Sequence, residues 1–372
     1  MMTPRERFHA VTHFQPVDHV PDREFGYWDE TIVRWHAEGL PSWVTDNSAA
    51  DLCFGFEPRP MVPVNAGLLP GFETRVVEET EAHRIQVDAT GVKSIVHKDG
   101  TSSIPKYLEF PLRDRETWER DFLPRLDAGT TGRLPDWDVV RRQYGEREVP
   151  LGITSASMLG WVRNWAGFEG MSLMVYDDPG VVEEAIETVC QLICTIIGSV
   201  PTDLELDFAH GWEDICFNHG PIVSPDLFRR WMVPRYARIT DLLRERHGID
   251  VVVVDCDGNI DQLVPLWLES GVNCMFPLEI ASGTDPYVLR RLYGDRVLLK
   301  GGVDKRALIA GRKAIDAEIA RLEPLVRDGG YVPHVDHRVP PDVSFDNYLY
   351  YLTKKRQIFG MPEPGLLRDP PE

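Results

Sequence analysis

What this 372-residue chain lacks narrows its function first. No run of 18 apolar residues occurs, so no segment reads as a membrane-spanning helix. Cysteines number only six, with no CxxC pair, so their spacing encodes neither a disulfide framework nor a zinc ribbon. No GxGxxG stretch and no P-loop opens a helical pattern, which argues against a bound nucleotide. Positive charge is in the minority. Lys and Arg total 40 against 59 Asp and Glu, a formal charge of −19, and no basic stripe is available to displace counterions from a nucleic acid. The N-terminus is charged where a secretory leader would be apolar, so the expected location is cytoplasmic.

What is present suits a large globular core, with 43% hydrophobic residues against 27% charged. Residues 4–12 carry a short helical pattern. Within 76–111, the alternating runs 84–88 and 92–96 flank Ala89, Thr90 and Gly91, which predicts an antiparallel hairpin. Cys190 and Cys194 stand four apart in the apolar helical pattern 181–200, as core residues do. Beyond residue 150 the chain repeats strand, loop and amphipathic helix. Strands are expected at 149–153, 204–209, 250–254, 273–276, 297–300 and 331–334. Helices are expected at 225–245, 260–270, 286–293 and 313–328. Six such alternations predict parallel strands with right-handed crossovers. One or two further strands from the first half bring the count close to eight. The expectation is therefore an α/β fold, a (β/α)8 TIM barrel, with 1–148 as an N-terminal extension and the whole chain as one barrel domain.

Polar residues gather where those strands end, which is where barrel enzymes converge their side chains. His210, Trp212, Glu213 and Asp214 follow the second strand, and Asp255 and Asp257 the third. Glu279 follows the fourth and Asp304 the fifth. His334, Asp336, His337 and Arg338 follow the sixth, ahead of Pro340 and Pro341. Each aspartate has a plainer reading: Asp304 suits a helix N-cap, and Asp257-Gly258-Asn259 suits a turn. Asp255 and Asp257, two apart, share a strand face, and paired carboxylates must share a proton or hold a cation. With Glu279 and His337 they make a mixed oxygen and nitrogen set suited to Zn²⁺, Mn²⁺ or Fe²⁺.

Trp212-Glu213-Asp214, the run from His219 to Pro225, Asp257-Gly258-Asn259, Lys300-Gly301-Gly302-Val303-Asp304 and the run from His334 to Ser344 together resemble the uroporphyrinogen decarboxylase superfamily. That resemblance implies a (β/α)8 barrel that either decarboxylates a porphyrinogen or moves methyl groups, often with a corrinoid or thiol partner. Two departures matter. The arginine-rich N-terminal segment of the decarboxylases is represented by 22–28, where Arg23 is the only cation. In the zinc-dependent methyltransferase branch, the ligand positions fall on Asp255, Asp257 and His337, all changed in type.

The reading is a methyltransferase or demethylase acting on a small molecule, assisted by a divalent cation at Asp257, His337 and Asp255 or Glu279. His334 or Asp336 would handle protons, with Glu213 and Asp214 as further catalytic candidates and Arg338 as an anchor for a carboxylate. Arg23, Tyr27, Trp28, His210, Trp212 and Asp304 would shape the substrate pocket. A corrinoid would come on a separate protein, since no Asp-x-His-x-x-Gly stretch is present. The partners this reading allows are a small-molecule substrate, a corrinoid protein and a second copy of the chain, without nucleic acid or membrane. A lyase acting on a small carboxylated substrate and a non-catalytic binding barrel are the alternatives.

Overall fold

The structure is a computed structural model that describes residues 1–98 and 104–370. Four antiparallel strands, β1 (Arg75–Glu79), β2 (His83–Val87), β3 (Lys93–His97) and β4 (Lys106–Glu109), form a sheet in sequential order. The β2–β3 pair is the hairpin expected around Ala89-Thr90-Gly91; residues 99–103 of the expected hairpin region lie outside the described residues.

The core is a six-stranded parallel sheet of β5 (Gly152–Ala156), β6 (Phe208–Trp212), β7 (Val252–Asp255), β8 (Cys274–Leu278), β9 (Leu298–Val303) and β10 (Tyr331–Val335), in unbroken sequential order. Helices lie between them, as the repeating pattern predicts. The expected helix 225–245 is two, Pro225–Trp231 and Val233–His247, each with a proline in its first turn. Local chemistry sets many boundaries. Thr3 and Glu6 form a capping box with Pro4 at the first position, and Ser344 caps Phe345–Phe359 through the Asn347 N–H. Strand alternation decides the rest. Val252, Val254, Met275 and Leu299 face the helices in the main core, while Val251, Val253, Cys274, Phe276 and Leu298 pack inside the barrel. Each fully buried aliphatic side chain contributes roughly 1.5–3 kcal/mol.

Two extended segments cover the gap between β5 and β10 and complete the (β/α)8 TIM-barrel fold. Met61 bridges Gly152 in parallel, with Val62 N–H donating to the Gly152 carbonyl and Gly152 N–H to Pro60. Glu57 N–H donates to Asp22, joining the two segments, and Tyr27 bridges Val339 just beyond β10. These segments supply what was expected as one or two strands from the first half, reduced to short bridges. Pro58, Pro60 and Pro63 have no N–H to give a ladder, which explains the reduction. The first half of the chain is thus part of the barrel wall as well as an extension.

Among the described residues, no helix is long and apolar enough to cross a membrane. All six cysteines are free, and only Cys194 is not fully buried.

Candidate active site

Period-two alternation in 22–25 sends Asp22 and Glu24 away from the barrel axis and Arg23 and Phe25 toward it. Asp22 and Glu24 bind the buried Lys355 ammonium at 3.0 and 2.7 Å, and Asp22 also binds Arg356 at 2.7 Å. Tyr351 donates to Glu24 at 2.8 Å, and the second oxygen of Glu24 accepts from Val335 N–H. The helix Phe345–Phe359 therefore fixes this segment against β10 and leaves Arg23 and Phe25 facing inward.

There they meet a chamber of about 780 Å³, lined by Arg23, Arg59, His210, Asp255, Lys300 and His334, with Phe25 and Phe276 as an aromatic wall at 4.6 Å between centroids. Glu24, Asp51, Glu57 and Tyr144 also border it. Below, the barrel closes on Val251, Val253, Cys274, Leu298 and Val332. The chamber's electrostatics oppose those of the whole chain. Burial together with the Arg59 charge lowers Arg23 to about 9, and burial lowers Arg59 as well. Burial and Arg59 push Lys300 well down. Burial, reinforced by Arg59 and Lys300, holds His210 neutral; burial and Lys300 do the same for His334. Asp255 is pushed well up, by burial first and then by Asp257 and Asp214, against the opposing charges of Lys300 and Arg59.

Because a carbonyl only accepts, the 2.8 Å contact of His334 Nδ1 with the Val335 carbonyl makes Nδ1 the protonated nitrogen and leaves Nε2 as a lone-pair acceptor. Gly301 permits this packing. Its φ of +102° is left-handed, and a Cβ there would meet the Leu278 nitrogen at 2.9 Å and the His334 ring at 3.3 Å.

The remaining candidates separate into the mouth and the scaffold. At the mouth, His337 Nε2 and Asp257 Oδ2 are 3.1 Å apart, and Asp257 Oδ1 is enclosed without a partner. Trp28 lies 5.5 Å from the His337 ring, and the Arg338 guanidinium lies over Trp28 and Phe25 at 5.5 and 5.8 Å. Asp214, at a left-handed φ of 45°, pairs with Arg163 at 2.9 Å, and Arg163 also covers the Trp212 ring. Burial raises the Asp214 pKa, and Arg163 opposes it. Trp212 and His210 share a side cavity of about 390 Å³ with Arg59 and Thr154.

Glu213, Asp336, Tyr27 and Asp304 are placed as scaffold. Glu213 is fully buried, accepting from the N–H groups of Met158 and Gly160 and from the Tyr236 hydroxyl at 2.5 Å. Asp336 accepts the N–H groups of Ile280 and Lys305, both at 3.1 Å, and its pKa is raised to about 6 by burial, against Lys305. Tyr27 is in the core, bonded to Tyr348 and packed on Trp35 and Phe54. Asp304 is the N-cap of Lys305–Ala310 and is bound to Arg306. These positions correct the expectation that Tyr27 and Asp304 shape the pocket, and they place Glu213 and Asp336, expected as catalytic, on backbone N–H groups outside the chamber lining.

The four expected metal ligands also separate. Glu279 accepts Gly258 N–H at 2.9 Å and Lys305 Nζ at 3.0 Å, Asp255 lines the chamber, and only Asp257 and His337 pair. Among the described residues no three His, Cys, Asp or Glu side chains converge as a ligand set, so the donor arrangement does not fit the expected divalent ion.

Sequence reasoning missed Arg59, Phe25 and Phe276 and left Lys300 without a role. A signal for Lys300 existed, as a lone cation inside the apolar run Val297-Leu298-Leu299 and the glycines. Arg59, between two prolines, had no periodic pattern to reveal its facing.

Fold and chamber define a β/α barrel that carries its titratable groups inside and above the strands. The chain belongs to the uroporphyrinogen decarboxylase (URO-D) family, which matches residues 152–355. It is 24% identical over 197 residues to the uroporphyrinogen decarboxylase of Acidiphilium cryptum, covering 53% of this chain and 51% of that one. It is 27% identical over 190 residues to that of Alcanivorax borkumensis, covering 48% of each. The chain spans about half the length of the curated relatives it matches. A methyltransferase from Methanosarcina mazei has the same fold, with a TM-score of 0.60 over 97% of this chain and 100% of that one, at 15% identity.

Proposed function

We propose that this chain is an enzyme that removes or transfers a methyl group on a small molecule bound in the interior chamber. The observation that carries the reading is Asp255, a carboxyl at the chamber wall whose pKa is raised by burial and by Asp257 and Asp214. When a methyl group leaves a heteroatom, the heteroatom gains negative charge, and a positioned acid that neutralises it contributes typically 10²–10⁴-fold. Asp255 supplies that proton, and the lone pair of His334 Nε2 accepts a hydrogen bond from the substrate. Arg163, bound to Asp214, orients the mouth. A separate corrinoid protein would supply the methyl acceptor, and no residue of this chain is assigned to it. No step is routed through a metal ion, because the candidate ligands do not converge.

A second reading has support from the same carboxyl. The two curated relatives named above are decarboxylases, and Asp255, with its raised pKa, would protonate the carbanion left when a small substrate loses carbon dioxide. One experiment separates the two. Purified protein is incubated with methylated and carboxylated small molecules and reduced cobalamin, following methyl-cobalamin absorbance and carbon dioxide release. Methyl transfer that disappears in Asp255→Asn supports the first reading. Carbon dioxide release without methyl transfer replaces it with the second.

A further inference from the structure

The helix Pro179–Ser199 carries two thiols one turn apart, a pair that the candidate active site does not use. Cys190 is fully buried, and Cys194 is the one of the six cysteines that reaches solvent. Residues four apart on a helix share a face, and here the two thiols touch. Cys190 Sγ stands 3.5 Å from the Arg235 carbonyl oxygen on the neighbouring helix Val233–His247. The Arg238 guanidinium, one turn further along that helix, reaches both thiols. Contact with Cys190 lowers the Cys194 pKa against burial, and Arg238 adds to the lowering. The same contact, with burial, pushes Cys190 up. The reachable member of the pair is thus the one that ionises first, and the thiolate is the form that bonds soft partners.

The geometry decides what such a pair can take. Cβ atoms one helical turn apart stand about 5–6 Å from each other. A disulfide needs about 3.5–4.5 Å, so an intact helix disfavours direct oxidation of the pair. A tetrahedral metal needs more donors than are present. Among the described residues no third His, Cys, Asp or Glu joins the thiols as a ligand set. Glu187, on the same helix, is held by Arg235 and Arg238 at 2.8 and 2.7 Å. What fits is a soft centre that takes two thiolates, spans the wider gap and brings its own third substituent. We infer that Cys190 and Cys194 form a dithiol site that captures a monosubstituted trivalent arsenical. Cys194 bonds first, and Cys190 closes the bridge from beneath. Two arsenic–sulfur bonds form, the arsenic–oxygen bond breaks, and the oxygen leaves with the two thiol protons as water. Arsenic stays trivalent, so neither oxidant nor reductant is consumed. Neither thiol lines the interior chamber, so this site stands apart from the substrate site proposed above.

The other cysteines are poorer targets. Burial pushes Cys53 and Cys274 up to about 11. Cys216 and Cys256 also touch, but they are only 4% and 0% exposed. The test treats the reduced full chain with one equivalent of phenylarsine oxide and reads intact mass and free thiols. One bridge is expected, with two of the six thiols consumed. It should survive excess mercaptoethanol, a monothiol, and be removed by the dithiol dimercaptopropanol. Cys194→Ser and Cys190→Ala should each cut retention in mercaptoethanol about 100-fold or more, because the second bond is intramolecular. If Cys190→Ala fails to fold, Cys194→Ser decides alone, since position 194 is partly exposed and accepts serine. A parent chain that forms no bridge, or loses it to mercaptoethanol, overturns the inference. So does a bridge that Cys194→Ser retains, which would place it at Cys216 and Cys256.

Discussion

His337 Nε2 lies 3.1 Å from Asp257 Oδ2, joining the loop after β10 to the loop after β7 across the barrel mouth. The two strands are not neighbours, so this contact spans the opening above the chamber. Both side chains are partly exposed, so the pair contributes about 0–1 kcal/mol to stability. A function at the mouth predicts that His337→Ala loses most activity with a nearly unchanged denaturation midpoint. A large fall in midpoint with activity retained per folded molecule would show a packing role instead.

Metal removal tests the separated ligand set. With Glu279 engaged by Lys305, a tightly held ion would need loop rearrangement. Treatment with a chelator is therefore expected to leave the melting temperature unchanged. A clear fall, restored by Zn²⁺ or Mn²⁺, would show that Asp257 and His337 recruit further ligands in solution. By linkage, saturation at 100 times the dissociation constant would add roughly 2.7 kcal/mol.

Glu213 separates scaffold from chemistry. Glu213→Ala leaves two buried N–H groups and the Tyr236 hydroxyl without their acceptor. The expected loss is about 2–4 kcal/mol in chemical denaturation, with activity per folded molecule preserved. Lost activity in a stable Glu213→Ala protein would return Glu213 to the site.

Acid stability should depend on Asp207. Burial alone would raise its pKa, but hydrogen bonds from His9, Leu151 N–H, Arg5 and Arg147 pull it far below the ordinary carboxylate value. A folded pKa below the unfolded value of about 3.9 gives stability that is present above that pH and lost as pH falls toward the folded value. Asp207→Asn should be destabilised at neutral pH by roughly 3–5 kcal/mol, and its stability should change less between pH 5 and pH 3. A parallel acid profile in both proteins would assign the acid transition to other groups.

Uroporphyrinogen should not be a substrate. Three chamber cations cannot match carboxylates on every pyrrole, and the mouth adds Asp214 and Asp257. Coproporphyrinogen formed above a no-enzyme control would show that the opening accommodates the larger ligand.

Local patterns in the sequence determine the elements themselves. Short apolar runs between helical patterns mark the ladder strands, with one of them displaced, and caps such as Thr3 and Ser344 mark helix starts, because these signals act over a few residues. The expected 204–209 strand instead forms at Phe208–Trp212, since Leu204 and Leu206 bury in the preceding turn. That shift places His210 inside the barrel, where a loop position was expected. Facing in the irregular first half is decided only by tertiary structure. Arg23 points inward because Lys355 and Arg356, more than 300 positions away, claim Asp22 and Glu24. The composition fixes an acidic chain of −19, yet the fold collects three cations in one chamber, because charge summed along a sequence carries no information about where side chains meet.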